Sequence, residues 1–391
     1  MNDKSKERIP SSDEVRDVSQ IDGESVRFGT GWISGVIGIA LSGAGLFTVL
    51  CIQFPTILTM PMLRDYYPLP IIRALLHVVL VSGFLFGVLS LSLRRRKIFG
   101  SVAILFALIA GLLGGAQIQM EGVVNGAENQ ALPSLSLDWF LLNLMFWCAV
   151  FIPLERWFAL RRDQPIFRHG WRTDLAYFFV SALAVQWVTI ITMKPAQVLF
   201  AWVLDEQWRT SIGKQPLWLQ IIEILLITDF VQYWAHRAFH RIPFLWKFHA
   251  IHHSAERMDW LAGSRLHIID IVVTRGLSYM PLFALGFADA ALLGYGVIVT
   301  LQATLIHANV RFKFGPLRYW LVTPQFHHWH HSDEDAAVDK NFAVHLPIWD
   351  WLFGSYYLPG EQWPASYGVK GDKPPEGFFR QLFWPFKRGG A

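Results

Sequence analysis

Histidine carries most of the chemistry this chain could do. Of its 14 histidines, 12 fall between positions 236 and 345, and their spacing is regular. His236 and His240 form an HxxxH after Asp229, and His249, His252 and His253 form an HxxHH. A second HxxHH runs through His327, His330 and His331. On a helix, residues at i, i+3 and i+4 share a face, so each group turns two or three imidazoles toward one point. Imidazole suits iron, copper, nickel and zinc. A closed tetrahedral site takes about four ligands, so the eight histidines of the three groups predict two ions. His267 and His307 are further candidate ligands. His328 points off the face shared by His327 and His331 and is expected beside the site or at the surface. His77, His169 and His345 read as ordinary core or surface residues.

Several carboxylates could support such ligands. Asp229 lies seven residues before His236, two helical turns away on the same face, and is expected to orient a ligand imidazole through its other ring nitrogen. An ion pair with Arg237 or Arg241 is the plainer alternative. Glu223, near the same helix end, and Asp259, Asp270 and Asp339 are weaker candidates. The two cysteines, Cys51 and Cys148, sit in apolar stretches, which leaves no Cys-based zinc site, iron–sulfur cluster or disulfide framework. No glycine-rich phosphate loop follows a strand, so no flavin or nicotinamide cofactor is expected.

The elements that position these residues are membrane helices. The chain has 391 residues, 53% hydrophobic and 16% charged, with a mean hydropathy of +0.33. That is too little charge to cover a water-facing surface, since soluble domains are about 25% charged. The 18 Trp, 30 Phe and 10 Tyr exclude a disordered chain. Apolar stretches long enough to span a bilayer cover 32–53, 71–93, 98–117, 137–153, 174–193 and 217–235. Residues 268–306 are long enough for a hairpin turning near Gly286 and Asp289. A connector is expected over 194–216, containing Lys194, Pro195, Asp205, Glu206 and Arg209. Gly31, Gly35, Gly38 and Gly114-Gly115 read as helix-packing surfaces.

The fold class is thus all-α, a polytopic membrane bundle with its histidine-rich di-metal site on the cytoplasmic face. Four regions are expected: a polar tail (1–30, with no signal peptide), an N-terminal transmembrane region (31–215), a histidine-box core (216–358) and a cytoplasmic C-terminal tail (359–391). Arg94, Arg95, Arg96 and Lys97 flank one pair of spans, and Arg156, Arg161, Arg162, Arg168 and Arg172 another. The loop 118–136 between them carries Glu121 and Glu128 and no Lys or Arg, so the basic loops belong inside. The net charge of +4 suits anionic lipid headgroups and topology signals better than nucleic acid.

Residues 220–358 resemble the fatty acid hydroxylase/sterol desaturase superfamily of membrane di-iron proteins. The resemblance rests on the segment Asp229 to His240, on Trp246-Lys-Phe-His249-Ala-Ile-His252-His253-Ser254, and on Met258-Asp259-Trp260 through Ser264-Arg265-Leu-His267. It continues in Phe326 to His331 and closes with Trp349-Asp350-Trp351-Leu-Phe-Gly354. Ile268 stands where the family often has Pro, Trp351 where Arg is common, and Phe342-Ala343 where Tyr/Phe-Gly is usual. None of these is a candidate ligand, so they bear on substrate shape.

The resemblance implies two histidine-bound iron ions that activate O2 and oxidise a C–H bond of a lipid such as a sterol, fatty acyl or alkyl lipid, or a carotenoid. It favours hydroxylation over desaturation. Electrons would come from a cytochrome, ferredoxin or flavoprotein partner, steered by Arg237, Arg241, Lys247 and Arg257. Trp234, Phe239, Trp246, Phe248, Trp260 and Trp329 could line a substrate channel or simply pack. The membrane would be the bacterial inner membrane or the endoplasmic reticulum. Two other readings are a membrane metal-binding or transport protein and a family member that has lost catalysis. Transport would need ionisable residues along several spans, whereas here the histidines gather at one end.

Overall fold

The computed structural model describes residues 20–21, 24–25, 31–64, 66–94, 96–118, 134–200 and 205–387. The rest of the polar tail, together with Glu121 and Glu128, lies outside them. Apart from an antiparallel pair of two-residue strands, Gln20–Ile21 with Glu24–Ser25, the described residues form helices, turns and loops. Seven described helices are long and apolar enough to cross a membrane: Trp32–Gln53, Leu69–Leu93, Ile98–Gln117, Leu137–Trp157, Leu217–Arg241, Ile268–Leu285 and Asp289–His307. The chain is a multi-pass, all-α membrane protein.

It divides into two compact units, the first ending at Trp139 and the second beginning at Phe140. In the first, helices α1 (Trp32–Gln53), α2 (Leu69–Leu93) and α3 (Ile98–Leu112) pack on one another through small residues. A Cβ on Gly83 would sit 2.7 Å from the Ser42 backbone nitrogen, and one on Gly100 2.6 Å from the Gly87 carbonyl oxygen. Only glycine lets the backbones approach that closely. Gly114 and Gly115, expected on a packing surface, instead take positive φ (110° and 52°) and turn the chain at the end of α3.

The second unit holds α4 (Leu137–Trp157, from its fourth residue), α5 (Trp171–Phe200), α6 (Glu206–Gly213) and α7 (Leu217–Arg241). It continues with α8 (Pro243–His253), α9 (Ile268–Leu285), α10 (Asp289–His307), α11 (Pro324–His330), α12 (Ile348–Leu352) and α13 (Phe378–Phe383). The hairpin turns where expected, with Gly286 in the left-handed region at φ 78° closing α9. Three sequence expectations shift. The helix read as 217–235 runs on to Arg241, so His236 and His240 ride on its last turns. The span read as 174–193 lies in α5, which extends through Lys194 and Pro195 to Phe200, so the connector begins later than expected; α5 is not among the seven apolar helices.

The third shift is one of grouping. Residues 140–215 belong to the unit that holds the histidines. A buried ion network ties them there: Arg168 pairs with Asp259 (2.6 Å) and Asp174 (2.8 Å), and Asp174 with Arg265 (2.5 Å). The chain after 358 is also fixed in place, because Trp329 Nε1 donates to Gln362 O (3.0 Å) and Arg161 to Pro364 O (3.0 Å) and Ala365 O (2.8 Å).

Candidate metal centre

Stretches of four helices, α7, α8, α10 and α11, carry the histidines. α7 ends where Ile242 takes an extended conformation before Pro243, which cannot continue the helix but starts α8 as its first residue. α11 begins the same way, with Pro324 behind Thr323, whose hydroxyl caps the Phe326 N–H at 3.3 Å. His307 is the last residue of α10.

The histidines converge into two groups. His236, His240, His249, His253 and His330 form one; His252, His307, His327 and His331 form the other, and within each the ring nitrogens lie within 4.8 Å of one another. The boxes do not each serve one point, as the spacing suggested. α8 sends His249 and His253, one turn apart, to the first group and His252 to the second. α11 sends His330 to the first, while His327 and its cap His331 go to the second. The groups adjoin: the His253 and His331 rings stack with centroids 4.5 Å apart.

Hydrogen bonds at the outer nitrogens fix which ring nitrogen faces inward. His236 Nδ1 donates to Phe342 O (2.7 Å), His330 Nδ1 to Lys340 O (2.8 Å), His307 Nδ1 to Ala303 O (2.7 Å) and His252 Nδ1 to Arg265 O (3.2 Å). A carbonyl oxygen only accepts, so each of these imidazoles carries its proton outside and presents a bare Nε2. His249 does the same through Asp270 Oδ2 at 2.6 Å. Two such lone pairs face each other at 2.9 Å between His236 and His249, and another two at 3.3 Å between His252 and His307. No proton is available to bridge them. The buried Nε2 atoms of His240, His253 and His330 have no hydrogen-bond partner, and His327 Nε2 lies 3.0 Å from His307 Nε2 and 3.1 Å from His331 Nε2. Converging unprotonated nitrogens are unfavourable by themselves and suited to a cation, so the residues fit a bound metal.

Electrostatics agree. Burial, reinforced by the neighbouring imidazoles, pushes His252, His253, His327 and His331 well below the ordinary imidazole range. Burial brings His330 down to about 3. They are neutral near pH 7, the form that binds metal.

His267 stands apart from both groups. It caps α9, its Nδ1 accepting the Ile269 N–H (3.1 Å) and its Nε2 donating to Leu382 O (3.1 Å). His328 is buried rather than exposed, with Nδ1 2.9 Å from the Tyr367 hydroxyl. His345 is buried against Gln302 Oε1 (3.0 Å), whereas His77 and His169 are exposed.

Asp229 holds no imidazole. Its oxygens accept the backbone N–H groups of Val344 (2.9 Å), His345 (2.9 Å) and Leu346 (2.8 Å). The carboxylates that do reach the histidines are Asp270, on His249, and Asp339, 3.4 Å from His240 Nδ1. Glu223 takes a hydrogen bond from Gln215 (3.2 Å), and Asp259 is paired with Arg168. Of the six candidate channel aromatics, Trp246 (5.0 Å from the His240 ring) and Phe239 (5.7 Å from that of His249) lie against the histidines. Trp260 packs with Trp147 and Phe151.

Sequence reasoning named Asp339 as a candidate carboxylate but missed what the backbone of the loop from Asp339 to Phe342 does. Asp339 and Asn341 hold positive φ (57° and 61°), and this places the Lys340 and Phe342 carbonyls on His330 and His236. Asn341 locks the turn, donating to Phe326 O (3.0 Å) and Tyr357 O (2.7 Å), while Asp350 accepts the Phe342 and Ala343 N–H groups at 2.8 Å each. The legible signal is Asp-Lys-Asn, because Asp and Asn tolerate the left-handed region best after glycine.

Comparisons with known proteins converge on one class. The sequence profile of the fatty acid hydroxylase family matches residues 221–355, which include all nine clustered histidines. The chain is 30% identical over 308 residues to an ornithine lipid hydroxylase of Rhizobium tropici, covering 75% of this chain and 88% of the relative. It is 33% identical over 141 residues to the human alkylglycerol monooxygenase, covering 36% of this chain and 31% of that one. With a very-long-chain aldehyde decarbonylase of rice it shares 30% over 195 residues, covering 43% and 29%. No solved structure matches it. The chain belongs to the fatty acid hydroxylase family and is an oxidoreductase.

Proposed function

We propose that the protein is an O2-dependent lipid hydroxylase that holds two iron ions, one in each histidine group. The observation that carries this is the pair of adjoining groups whose ring nitrogens converge, several with their protons fixed outward. His236, His240, His249, His253 and His330 would hold one iron, and His252, His307, His327 and His331 the other. Bound there, two irons would supply the electrons that reduce O2 and the oxidising power that attacks a C–H bond.

The chain's own residues do the rest. Asp270 and the carbonyls of Ala303, Lys340 and Phe342 hold the rings and their tautomers. Burial keeps water out and the imidazoles neutral. The site begins where α7 and α10 end, which puts it within reach of an acyl chain in the bilayer. Relatives named for acting on ornithine lipids and alkylglycerols support a lipid substrate. We place the histidines on the cytoplasmic side, from the Lys/Arg bias of the connecting loops. Arg237, Arg241, Lys247 and Arg257 lie near the site as a basic surface for a separate electron-donating protein. Against metal transport, the nine histidines meet at one locus rather than along the spans.

The test is metal per chain in detergent-purified protein beside His252→Ala/His253→Ala, with O2-dependent gain of one oxygen in a membrane lipid read by mass. Two irons lost in the variant, and product only in the parent, are expected. No product after anaerobic reloading with Fe(II) and supply of reductant and O2 would overturn the reading.

A further inference from the structure

Outside the histidine groups, a cavity of about 300 Å³ lies among the end of α4, the loop that follows it, Trp260 and Asn309. Three arginines, Arg156, Arg161 and Arg162, are among the residues that line it. Arg156 and Arg162 are exposed at their outer side, without a hydrogen bond or ion pair among the described residues. Arg161 is held in place by its bonds to the Pro364 and Ala365 carbonyls and by the Tyr367 ring, 5.1 Å from its guanidinium carbon. Its Nε is buried with no partner. Gln164 is only 6% exposed; its Nε2 donates to Met258 O (2.9 Å), but its Oε1 is buried and unpartnered.

The acids in the wall offset this charge only in part, Glu155 against three arginines. Asp259 has both oxygens on Arg168, each at 2.6 Å. Glu155 spends Oε1 on the backbone N–H groups of Trp260 (2.7 Å) and Asn309 (2.9 Å). What remains is an excess of positive charge, from the exposed Arg156 and Arg162 above all, and in Gln164 a lining residue with a buried, unpartnered acceptor. Buried polar atoms are nearly always partnered, so unpartnered polar atoms on two of the residues lining one small cavity point to a ligand there.

Size and surroundings narrow the ligand. About 300 Å³ is at the low end for small-molecule pockets, room for a headgroup and not for acyl chains. The rim carries Trp157 (75% exposed) and Ile166 (40% exposed), at the end of a membrane-spanning helix where aromatic residues meet the headgroup layer. We propose that this cavity binds the oxyanion of an anionic membrane amphiphile, a phosphate or carboxylate, while a hydroxyl or ammonium of the same headgroup donates to Gln164. Free phosphate carries the same oxyanion chemistry; the apolar rim favours the lipid. The inference needs only the membrane setting, not turnover at the histidines.

The test is binding of fluorescent phosphatidylglycerol to the full chain in detergent, competed with unlabelled phosphatidylglycerol, phosphatidylcholine or inorganic phosphate. Phosphatidylcholine lacks the net charge and the headgroup donors, so it should compete at least tenfold more weakly than phosphatidylglycerol. Arg156→Ala/Arg162→Ala should weaken binding at least tenfold while metal content and chromatographic profile stay those of the parent. Arg156→Lys/Arg162→Lys should keep most of the affinity, which controls for folding. Arginine-dependent competition by inorganic phosphate as strong as by the lipid would support the oxyanion site but assign it to a soluble anion. Equal competition by phosphatidylcholine, or alanine and lysine variants that bind like the parent, would overturn the proposal.

Discussion

Asp270 and His249 are joined by a 2.6 Å hydrogen bond in which the imidazole Nδ1–H donates to the carboxylate, with both side chains buried. The bond fixes the ring's tautomer and turns its lone pair toward His236. Negative charge behind an imidazole also raises its strength as a ligand. Asp270→Asn should therefore lower metal affinity by about 10–100-fold. Titration of the metal-free protein with Fe(II) or Co(II) checks this; unchanged affinity would mean the pair only packs.

Asp229 should behave differently, because it holds backbone and not a ring. Asp229→Ala leaves three N–H groups at residues 344–346 without their acceptor, that of His345 buried and those of Val344 and Leu346 half-buried, and a buried one costs about 1–3 kcal/mol. The expected result is a lower melting temperature with metal affinity changed less than in Asp270→Asn. A large affinity loss without destabilisation would restore the role expected from its position in the sequence.

The proposed ligand set divides the histidines into two classes with different expected behaviour. His252→Ala and His331→Ala should lose metal and O2-dependent turnover. His267→Ala and His345→Ala should keep the metal, since both side chains point elsewhere. Metal analysis of the four variants decides it, and full loading of His331→Ala would remove that residue from the ligand set.

Acid should destabilise the metal-free protein. Burial pushes His345 down to about 4, against about 6.5 in an unfolded chain. Above about pH 6.5 neither state is protonated. Between 6.5 and 4 the unfolded chain takes up a proton that the folded one refuses, so stability falls by up to about 1.4 kcal/mol per pH unit from this group. Denaturation across pH should show a slope that is shallower in His345→Gln; an unchanged slope would show that His345 does not contribute.

The sequence exposed the helical class, the hairpin and the histidines well, since these depend on local properties: apolar run length and i, i+3, i+4 spacing. It was less informative wherever a contact is long-range. Asp229 and His249 share no sequence relation with their real partners, residues 344–346 and Asp270. His267 looked like a ligand because nothing local distinguishes a helix-capping imidazole from a metal-binding one. The turn at Asp339–Phe342 supplies two carbonyls to the site through backbone, and backbone acceptors leave almost no trace in residue type.

α8 and α11 each divide their histidines between the two groups within a single turn. Rolling either helix about its axis would draw one set of nitrogens inward while swinging the other away. The centre thus works like a balance beam, in which neither half can be adjusted alone. Emptying one half frees a helix that the other half still needs, so partly loaded protein should be scarce. With an ion in each group, as proposed, deleting one motif at a time would report on both groups together.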